Sequence, residues 1–163
     1  SKDIIEDILN CGRLAPSAKN RQPWYFVIVK DKIKNEIADM MIKNSNNQNL
    51  SEKTIFNSSV NPTANVIKEA SILILVFREK NKSWIVGDNL SIGACIENMC
   101  LRATELNLGT LWIRDIVYVS EEVAKMLNHE ELELNSALAL GYPNEFPKAR
   151  PRKELKDIVE WYN

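Results

Sequence analysis

The sequence predicts a domain in which helices cover both faces of one mixed β-sheet. Helix and strand patterns alternate in the order helix, strand, helix, helix, strand, helix, strand, helix, strand, which is typical of layered domains built on one sheet. The strand patterns are short, apolar and rich in β-branched residues, as buried strands are. A length of 163 residues suits one domain with its own core, and we expect a single domain over 1–163.

The first half of the chain contains patterns for three helices and two strands. Apolar residues at helical spacing predict a helix over 1–14, and Pro16 marks its end. A polar stretch over 44–61 lacks a periodic pattern, which predicts a loop of the kind that covers ligand sites. The other elements predicted here are a strand over 25–29, helices over 32–43 and 64–70, and a strand over 71–77.

The second half is dominated by a long helix predicted over 88–106, whose apolar residues lie almost all round it. Such a helix is buried in a large core or against a partner, and because a chain of this length has a limited core, a subunit interface is favoured. Gly109 is the predicted end of this helix. Further predicted elements are strands over 111–113 and 136–140, a short helix over 120–127, and a final strand or extended arm over 158–162.

The residue inventory disfavours several enzyme classes. His129 is the only histidine and lies among glutamates, which predicts a solvated surface position and disfavours a serine or cysteine hydrolase. No group of His, Cys and Asp has the spacing of metal ligands, so we expect no metal site. The five glycines cannot build a dinucleotide-binding fingerprint or a P-loop.

Charge and cysteine usage indicate the cellular setting. The net charge of −1 gives no overall basic field, so we expect neither nucleic acid nor a membrane as partner. No apolar run approaches the ~18 residues that span a bilayer. The three cysteines, Cys11, Cys95 and Cys100, are odd in number and lack metal-like spacing. They indicate reduced core thiols, which favours the cytoplasm.

The most informative stretch covers residues 15–29, which read A-P-S-A-K-N-R-Q-P-W followed by Y-F-V-I-V. The two prolines bias the residues before them toward extended geometry and leave no room for a helix. Ser17, Asn20 and Gln22 are therefore held at the entrance of a buried strand, where a rigid scaffold can present them to a ligand. The alternative is an ordinary connector in which these residues only close turns.

A chain with so few acid–base and metal-binding residues can still catalyse if an organic cofactor carries the reaction. A flavin suits these resources, because its ring needs a flat slot, backbone groups near one edge and cationic residues at its phosphate. We therefore expect no catalytic side chain.

The stretch at 15–24 resembles the A-P-S-x-x-N-x-Q-P-W segment of the FMN-dependent nitroreductase family. Residues 88–113 are similar to that family's central helix and the L-G-T-x-W-I strand after it, and G-Y-P at 141–143 with the basic run at 147–155 resembles its C-terminal segment. The resemblance covers nearly the whole chain, most weakly over 44–69. It implies an α+β domain of three layers, α/β/α, that works as a homodimer with two FMN sites at the interface.

The resemblance also implies that three groups of residues hold FMN. The loop serves a site that the other subunit completes. The residues after the third predicted strand lie beside the reactive edge of the ring, and the basic run binds the phosphate. In chain order these residues are Pro16, Ser17, Ala18, Asn20, Gln22, Ile113, Arg114, Asp115, Arg150, Arg152 and Lys153. Charge-assisted hydrogen bonds suit the third group to a phosphate, although such a run taken alone is typical of a solvated tail.

The sequence departs from the family pattern at Asn107, where glycine or a leucine-like residue is commoner, and in two places that concern the proposed site. A small or acidic residue is common where Arg114 stands, and its guanidinium could stabilise reduced flavin, select an anionic substrate, or point to solvent. Family members also open on a basic R-R-S-x-R-like segment, whereas this sequence starts after that point. Either the natural start was trimmed or part of the phosphate site is lacking.

The activity implied by the resemblance is ping-pong hydride transfer from NADH or NADPH, through FMN, to a flat electron-poor acceptor such as a nitroaromatic, a quinone or an enone. No side chain acts as a nucleophile in such a reaction. Two alternatives stay open. One is a flavin enzyme with another reaction, such as reductive dehalogenation or an oxidase-like ring cleavage; the other is a non-catalytic flavin-binding or dimeric interaction protein.

Overall fold

The computed structural model describes residues 1–46 and 54–162 of the chain. Its regular elements are α1 (Lys2–Arg13), β1 (Tyr25–Val29), α2 (Asp31–Asn46), α3 (Thr54–Glu69), β2 (Ile72–Glu79), α4 (Ile85–Glu105), β3 (Gly109–Ile113), α5 (Ser120–Met126) and β4 (Leu132–Gly141). The predicted strand over 25–29 is confirmed at both ends, but its predicted burial is wrong, because Tyr25 and Ile28 are exposed and only Val29 is buried. An apolar run shows that a strand is favoured, whereas its position in the sheet decides how far it is covered. None of the helices in the described ranges combines the length and the apolar character needed to cross a bilayer.

The four strands form one sheet in the order β1-β2-β4-β3. All three neighbouring pairs are antiparallel, so the expected mixed sheet is not what the described strands form. The α+β class is confirmed. The direction of pairing was missed because an apolar strand pattern reports burial and carries no information on which way its neighbour runs.

Side chains of β2 alternate between two cores, one on each face of the sheet. Leu73, Leu75 and Phe77 lie in the core formed with α2, α3 and α5. Ile74 and Val76 lie in the core formed with α1 and α4. The predicted three layers are therefore present, because a strand buried on both faces needs helices on both.

Packing between α2 and α3 overturns the loop predicted over 44–61. Residues 44–46 belong to α2 and residues 54–61 to α3, while 47–53 lie outside the described residues. Lys34 is 4% exposed, and its Nζ donates to the carbonyl oxygens of Ile67 and Lys68 at 2.6 Å each. A lysine in α2 thus satisfies carbonyls at the end of α3, a long-range contact that helix periodicity does not reveal.

Asparagine, rather than glycine, ends the long helix. Asn107 has φ of 57°, and the N–H of Leu108 donates to the carbonyl of Ala103 at 2.8 Å. Gly109, the predicted end, is instead the first residue of β3. The short amide side chain lets Asn adopt the left-handed conformation that closes a helix.

His129 packs on aromatic rings, which corrects its predicted solvated position. Its ring centroid is 5.3 Å from that of Tyr25 and 5.8 Å from that of Phe77. Its Nδ1 lies 3.4 Å from the Glu131 carboxylate. An aromatic pocket at the start of β1 therefore takes up the imidazole.

Two surfaces of the fold are apolar and exposed. On α4, Val86, Leu90 and Leu101 are all more than half exposed. Residues 142–162 form an extended arm with a single 3-10 turn at Leu155–Asp157, and the arm carries exposed aromatic side chains that include Phe146 and Trp161. Of the strand or arm predicted over 158–162, the arm is what the structure contains.

Candidate functional site

The loop between Pro16 and Pro23 adopts a strained backbone. Lys19, Asn20 and Gln22 have φ of 53°, 54° and 49°, in a left-handed region that asparagine tolerates and longer side chains disfavour. Each such residue costs about 1–3 kcal/mol and persists only where its surroundings enforce it. A single 3-10 turn over Ala18–Asn20 also corrects the expectation that the loop contains no helical geometry.

Hydrogen bonds inside the loop use its backbone and its serine. The Ser17 hydroxyl oxygen accepts from the backbone N–H of Gln22 at 3.0 Å, and its carbonyl accepts from the N–H of Asn20 at 3.0 Å. The N–H of Arg21 donates to the carbonyl of Ala18 at 3.1 Å. Asn20 and Gln22 remain exposed, so the loop presents two amide side chains to the outside.

The first turns of α4 anchor this loop. The N–H of Ala18 donates to the Ser91 hydroxyl at 3.2 Å, and that hydroxyl donates to the carbonyl of Gly87 at 2.7 Å. The Arg21 guanidinium reaches the carboxylate of Asp88 at 3.1 Å. Sequence reasoning missed these anchors, because a carboxylate in a first helical turn is ordinarily explained by the helix dipole alone.

The residues after β3 contact their own neighbours. Ile113 is 3% exposed, and its carbonyl accepts from the Ser136 hydroxyl at 3.2 Å. One oxygen of the Asp115 carboxylate accepts from the Ser59 hydroxyl at 3.2 Å, which ties this segment to α3. No pattern in the sequence pointed to Ser59, because it lies in the stretch predicted to be a loop.

Arg114 is held beside a phenol. Its guanidinium lies 5.2 Å from the ring centroid of Tyr118, and Nη1 donates to the phenol oxygen at 3.0 Å. The side chain is 68% exposed. Within one chain, the Arg114 side chain therefore points to solvent.

The cations of the basic run lie on the exposed arm. Arg150, Arg152 and Lys153 are all exposed, and Arg152 donates to the carbonyl of Arg150 at 3.1 Å. Within the described ranges, no carboxylate lies within ion-pair distance of these three side chains. Cations left without a carboxylate suit an anionic group such as a phosphate.

No hydrogen bond or ion pair in residues 1–46 and 54–162 joins the three groups of predicted residues to one another. A cavity of about 780 Å³ lies between the end of α3, β3 and residues 142–147, and none of the predicted residues lines it. In the same ranges, no three His, Cys, Asp or Glu side chains are grouped as metal ligands.

Comparison with known proteins defines the class of this fold and site. Residues 1–142 match the nitroreductase family, and the chain belongs to that family. A protein of Archaeoglobus fulgidus named as an NADH dehydrogenase/NAD(P)H nitroreductase is 31% identical over 98% of this chain and 79% of its own length. An iodotyrosine deiodinase of Thermotoga neapolitana is 29% identical over 94% of this chain and 86% of its own length.

Solved structures share the fold. A BluB-like flavoprotein from Clostridium difficile 630 superposes with a TM-score of 0.81 at 26% identity, covering 100% of this chain and 90% of its own. A nitroreductase with bound FMN from Bacteroides fragilis superposes with a TM-score of 0.79 at 22% identity, over 100% and 88% of the two chains. The architecture built from antiparallel strands and two helical layers is therefore that of the nitroreductase fold.

Proposed function

We propose that this protein is an FMN-dependent oxidoreductase of the nitroreductase type, with one nitroreductase-like domain in each subunit of a homodimer. When bound, FMN would supply the chemistry of hydride transfer, with NADH or NADPH as donor and a flat electron-poor acceptor such as a nitroaromatic, a quinone or an enone. The observation that carries the proposal is the loop at 16–23, which is strained, anchored on α4, and presents exposed amide side chains at the start of β1. Membership of the nitroreductase family supports the same reading.

The residues present fit FMN by their chemistry. We propose that the loop residues Pro16, Ser17, Ala18, Asn20 and Gln22 line the ring and that the segment Ile113–Asp115 borders its reactive edge. The cations Arg150, Arg152 and Lys153 would hold the phosphate, since no described carboxylate neutralises them. We assign a covalent role to none of the side chains. The protein would bind the cofactor and the substrates and orient them.

We propose that two copies of the chain complete each site. Leu90 on α4 is 72% exposed and Trp161 on the arm is 85% exposed, and apolar surface of this extent is typical of an interface. No hydrogen bond or ion pair of the described residues joins the three groups of proposed cofactor residues within one chain. A second subunit would supply the groups that complete each site. We place the protein in the cytoplasm, supported by three cysteines that are all unpaired.

Purified protein tests the cofactor directly. We expect a yellow sample whose flavin absorbance is bleached by NADH or NADPH under argon. A yellow sample that neither nicotinamide reduces would instead support a non-catalytic flavin-binding role. A colourless sample that takes up no added FMN would contradict both.

A pair of charge-removal variants tests the phosphate assignment. Arg150→Ala with Arg152→Ala is expected to weaken FMN binding without unfolding the protein, because both side chains lie on the exposed arm. The matched control is Lys148→Ala with Lys156→Ala, which removes two positive charges from the same arm. Equal FMN titrations for the two double variants would refute the assignment.

A second pair of variants tests the subunit interface. Leu90→Glu places a charge on the exposed face of α4 and is expected to shift the protein from dimer to monomer in light scattering after size exclusion. Ile33→Glu is the control, because Ile33 is also exposed but belongs to α2 on the other face of the sheet. A wild-type protein that is monomeric at all concentrations would overturn the homodimer.

Reductive dehalogenation is a second candidate, favoured by the 29% identity with an iodotyrosine deiodinase over 94% of this chain. Turnover against a panel of nitroaromatic, quinone and iodophenol acceptors distinguishes it from the first. Release of iodide at a higher kcat/KM than nitro or quinone reduction would favour the deiodinase-like reaction.

A further inference from the structure

We infer that Arg21 is a positioning residue for the cofactor: through Asp88 and Trp84 it holds the loop at 16–23 in the conformation that contacts FMN. The inference rests on the proposed function. In this inference Arg21 makes no contact with FMN itself. It sets the backbone conformation of the loop residues on either side of Arg21.

Arg21 contacts Asp88, Trp84 and Glu79, and we call its contact with Asp88 and Trp84 the latch. Arg21 Nε donates to Asp88 Oδ1 at 3.1 Å and Nη2 donates to Oδ2 at 3.4 Å. The guanidinium carbon lies 4.7 Å from the ring centroid of Trp84. A third contact, at 3.6 Å, joins Nη2 to the Glu79 carboxylate at the end of β2.

Burial makes the contact costly to break. The side chain of Asp88 is 0% exposed and that of Arg21 is 23% exposed. A carboxylate removed from water needs a charged partner and hydrogen bonds. In the described part of the chain, Arg21 is the only cation paired with it.

The position of Arg21 in the loop explains why the latch controls the loop's shape. Arg21 has ordinary helical dihedral angles, φ −67° and ψ −27°, but lies between Asn20 and Gln22, which are both left-handed. Fixing its side chain on α4 therefore fixes the backbone on both sides of it. Among the described contacts, the only other hydrogen bond from loop to helix is that of the Ala18 N–H with Ser91.

Arginine is required here rather than any cation. Its planar fork matches both oxygens of one carboxylate, and the same plane stacks on an indole. A lysine could keep the charge beside Asp88 but not the second hydrogen bond or the stacking. We therefore expect Arg21→Lys to hold the loop in place for only part of the time.

The decisive variants separate positioning from stability. Arg21→Met leaves Asp88 buried and unpaired, so it can destabilise the whole domain. The double variant Arg21→Met with Asp88→Asn removes that charge and restores stability without restoring the latch. Arg102→Met is the matched control, because Arg102 lies on α4, the helix that carries Asp88. Its side chain is 28% exposed and contacts the Asp7 carboxylate at 2.6 Å.

Two readouts are measured on each variant. The first is the FMN dissociation constant from flavin fluorescence. A loop that adopts its binding conformation about one tenth of the time raises this constant about tenfold. We expect that rise for both Arg21→Met variants and a smaller rise for Arg21→Lys. For the control we expect no rise beyond experimental error. The second, on FMN-free protein, is trypsin cleavage after Lys19, which we expect to accelerate most in the Arg21→Met variants, less in Arg21→Lys and not in the control, because cleavage follows the population of the open loop.

The outcomes distinguish the inference from the function beneath it. If the wild type binds FMN and the double variant binds it within about twofold, the positioning role is overturned while the proposed function stands. If Lys19 cleavage is also unchanged, the loop does not depend on the latch at all. If the wild type takes up no FMN, the proposed function fails, and the role of Arg21 toward the cofactor fails with it.

Discussion

Replacing Gly12 by alanine tests how closely α1 packs against α4. A Cβ atom built on Gly12 lies 2.7 Å from Cγ and 3.1 Å from Sδ of Met99, and 3.2 Å from the sulfur of Cys95. Met99 and Cys95 are both 0% exposed. Since neither side chain can swing into solvent, the added methyl group must displace packed atoms.

The magnitude follows from two opposing effects. Alanine is favoured over glycine inside a helix by about 1 kcal/mol. Restoring ordinary carbon contacts of about 3.5–4.0 Å requires the Met99 side chain to move by roughly 1 Å, and overpacking of this kind costs about 1–3 kcal/mol. We expect Gly12→Ala to lower the free energy of unfolding by about 1 kcal/mol.

Urea unfolding at one fixed protein concentration measures this change as a shift in the midpoint. A double-mutant cycle supplies the control: with Met99→Ala the methyl group has room, so Gly12→Ala should become neutral or stabilising there. If Gly12→Ala stabilises the wild-type protein as much as it stabilises the Met99→Ala variant, the close approach of α1 and α4 is refuted.

Three further predictions concern buried polar and thiol groups. Lys34→Met should lower the unfolding free energy by about 1–3 kcal/mol by leaving two carbonyls of α3 unpaired. Burial lowers the pKa of Lys34. Between the lowered and the ordinary pKa, the unfolded chain holds a proton on Lys34 that the folded chain lacks. The free energy of unfolding of the wild type, relative to that of this variant, should therefore grow as pH rises through that window. A flat difference in urea midpoints there would contradict this. Burial raises the pKa of Cys95 to about 12, so mass spectrometry after iodoacetamide treatment at mildly alkaline pH should find Cys11 modified before Cys95, and the reverse order would contradict the buried thiol. Ser136→Ala removes the acceptor of the Trp112 indole N–H at 2.6 Å and should cost about 0.5–1.5 kcal/mol in urea unfolding, whereas an unchanged midpoint would show that water replaces the hydroxyl.

Much of the fold could be predicted because local pattern reports local structure. The apolar run at 71–77 predicted a buried strand, and β2 proved to be buried on both faces, since only a strand between two helical layers needs apolar residues at every position. The predicted loop between two prolines is present, because proline restricts the backbone wherever it stands. The nearly all-round apolar pattern predicted over 88–106 corresponds to a core face of α4 and to exposed apolar residues that include Leu90 and Leu101.

Contacts between distant residues were beyond such reasoning. The direction of the strands, the helical conformation of 54–61 and the aromatic surroundings of His129 each depend on a partner far away in the chain. The latch is the clearest case, because Arg21 and Asp88 are 67 positions apart and each has an ordinary local explanation. Only folding brings them within hydrogen-bond distance.

The sequence by itself determined where the chain is helical or extended over most of its length, which family it belongs to, and where a polar loop lies between two prolines. Those properties follow from periodicity, proline and short-range motifs, which act within a few residues. The tertiary structure alone decided how the strands pair, which carboxylate contacts the loop, and which residues the loop, the end of β3 and the basic run contact within one chain. These depend on burial and long-range packing, which no local pattern encodes.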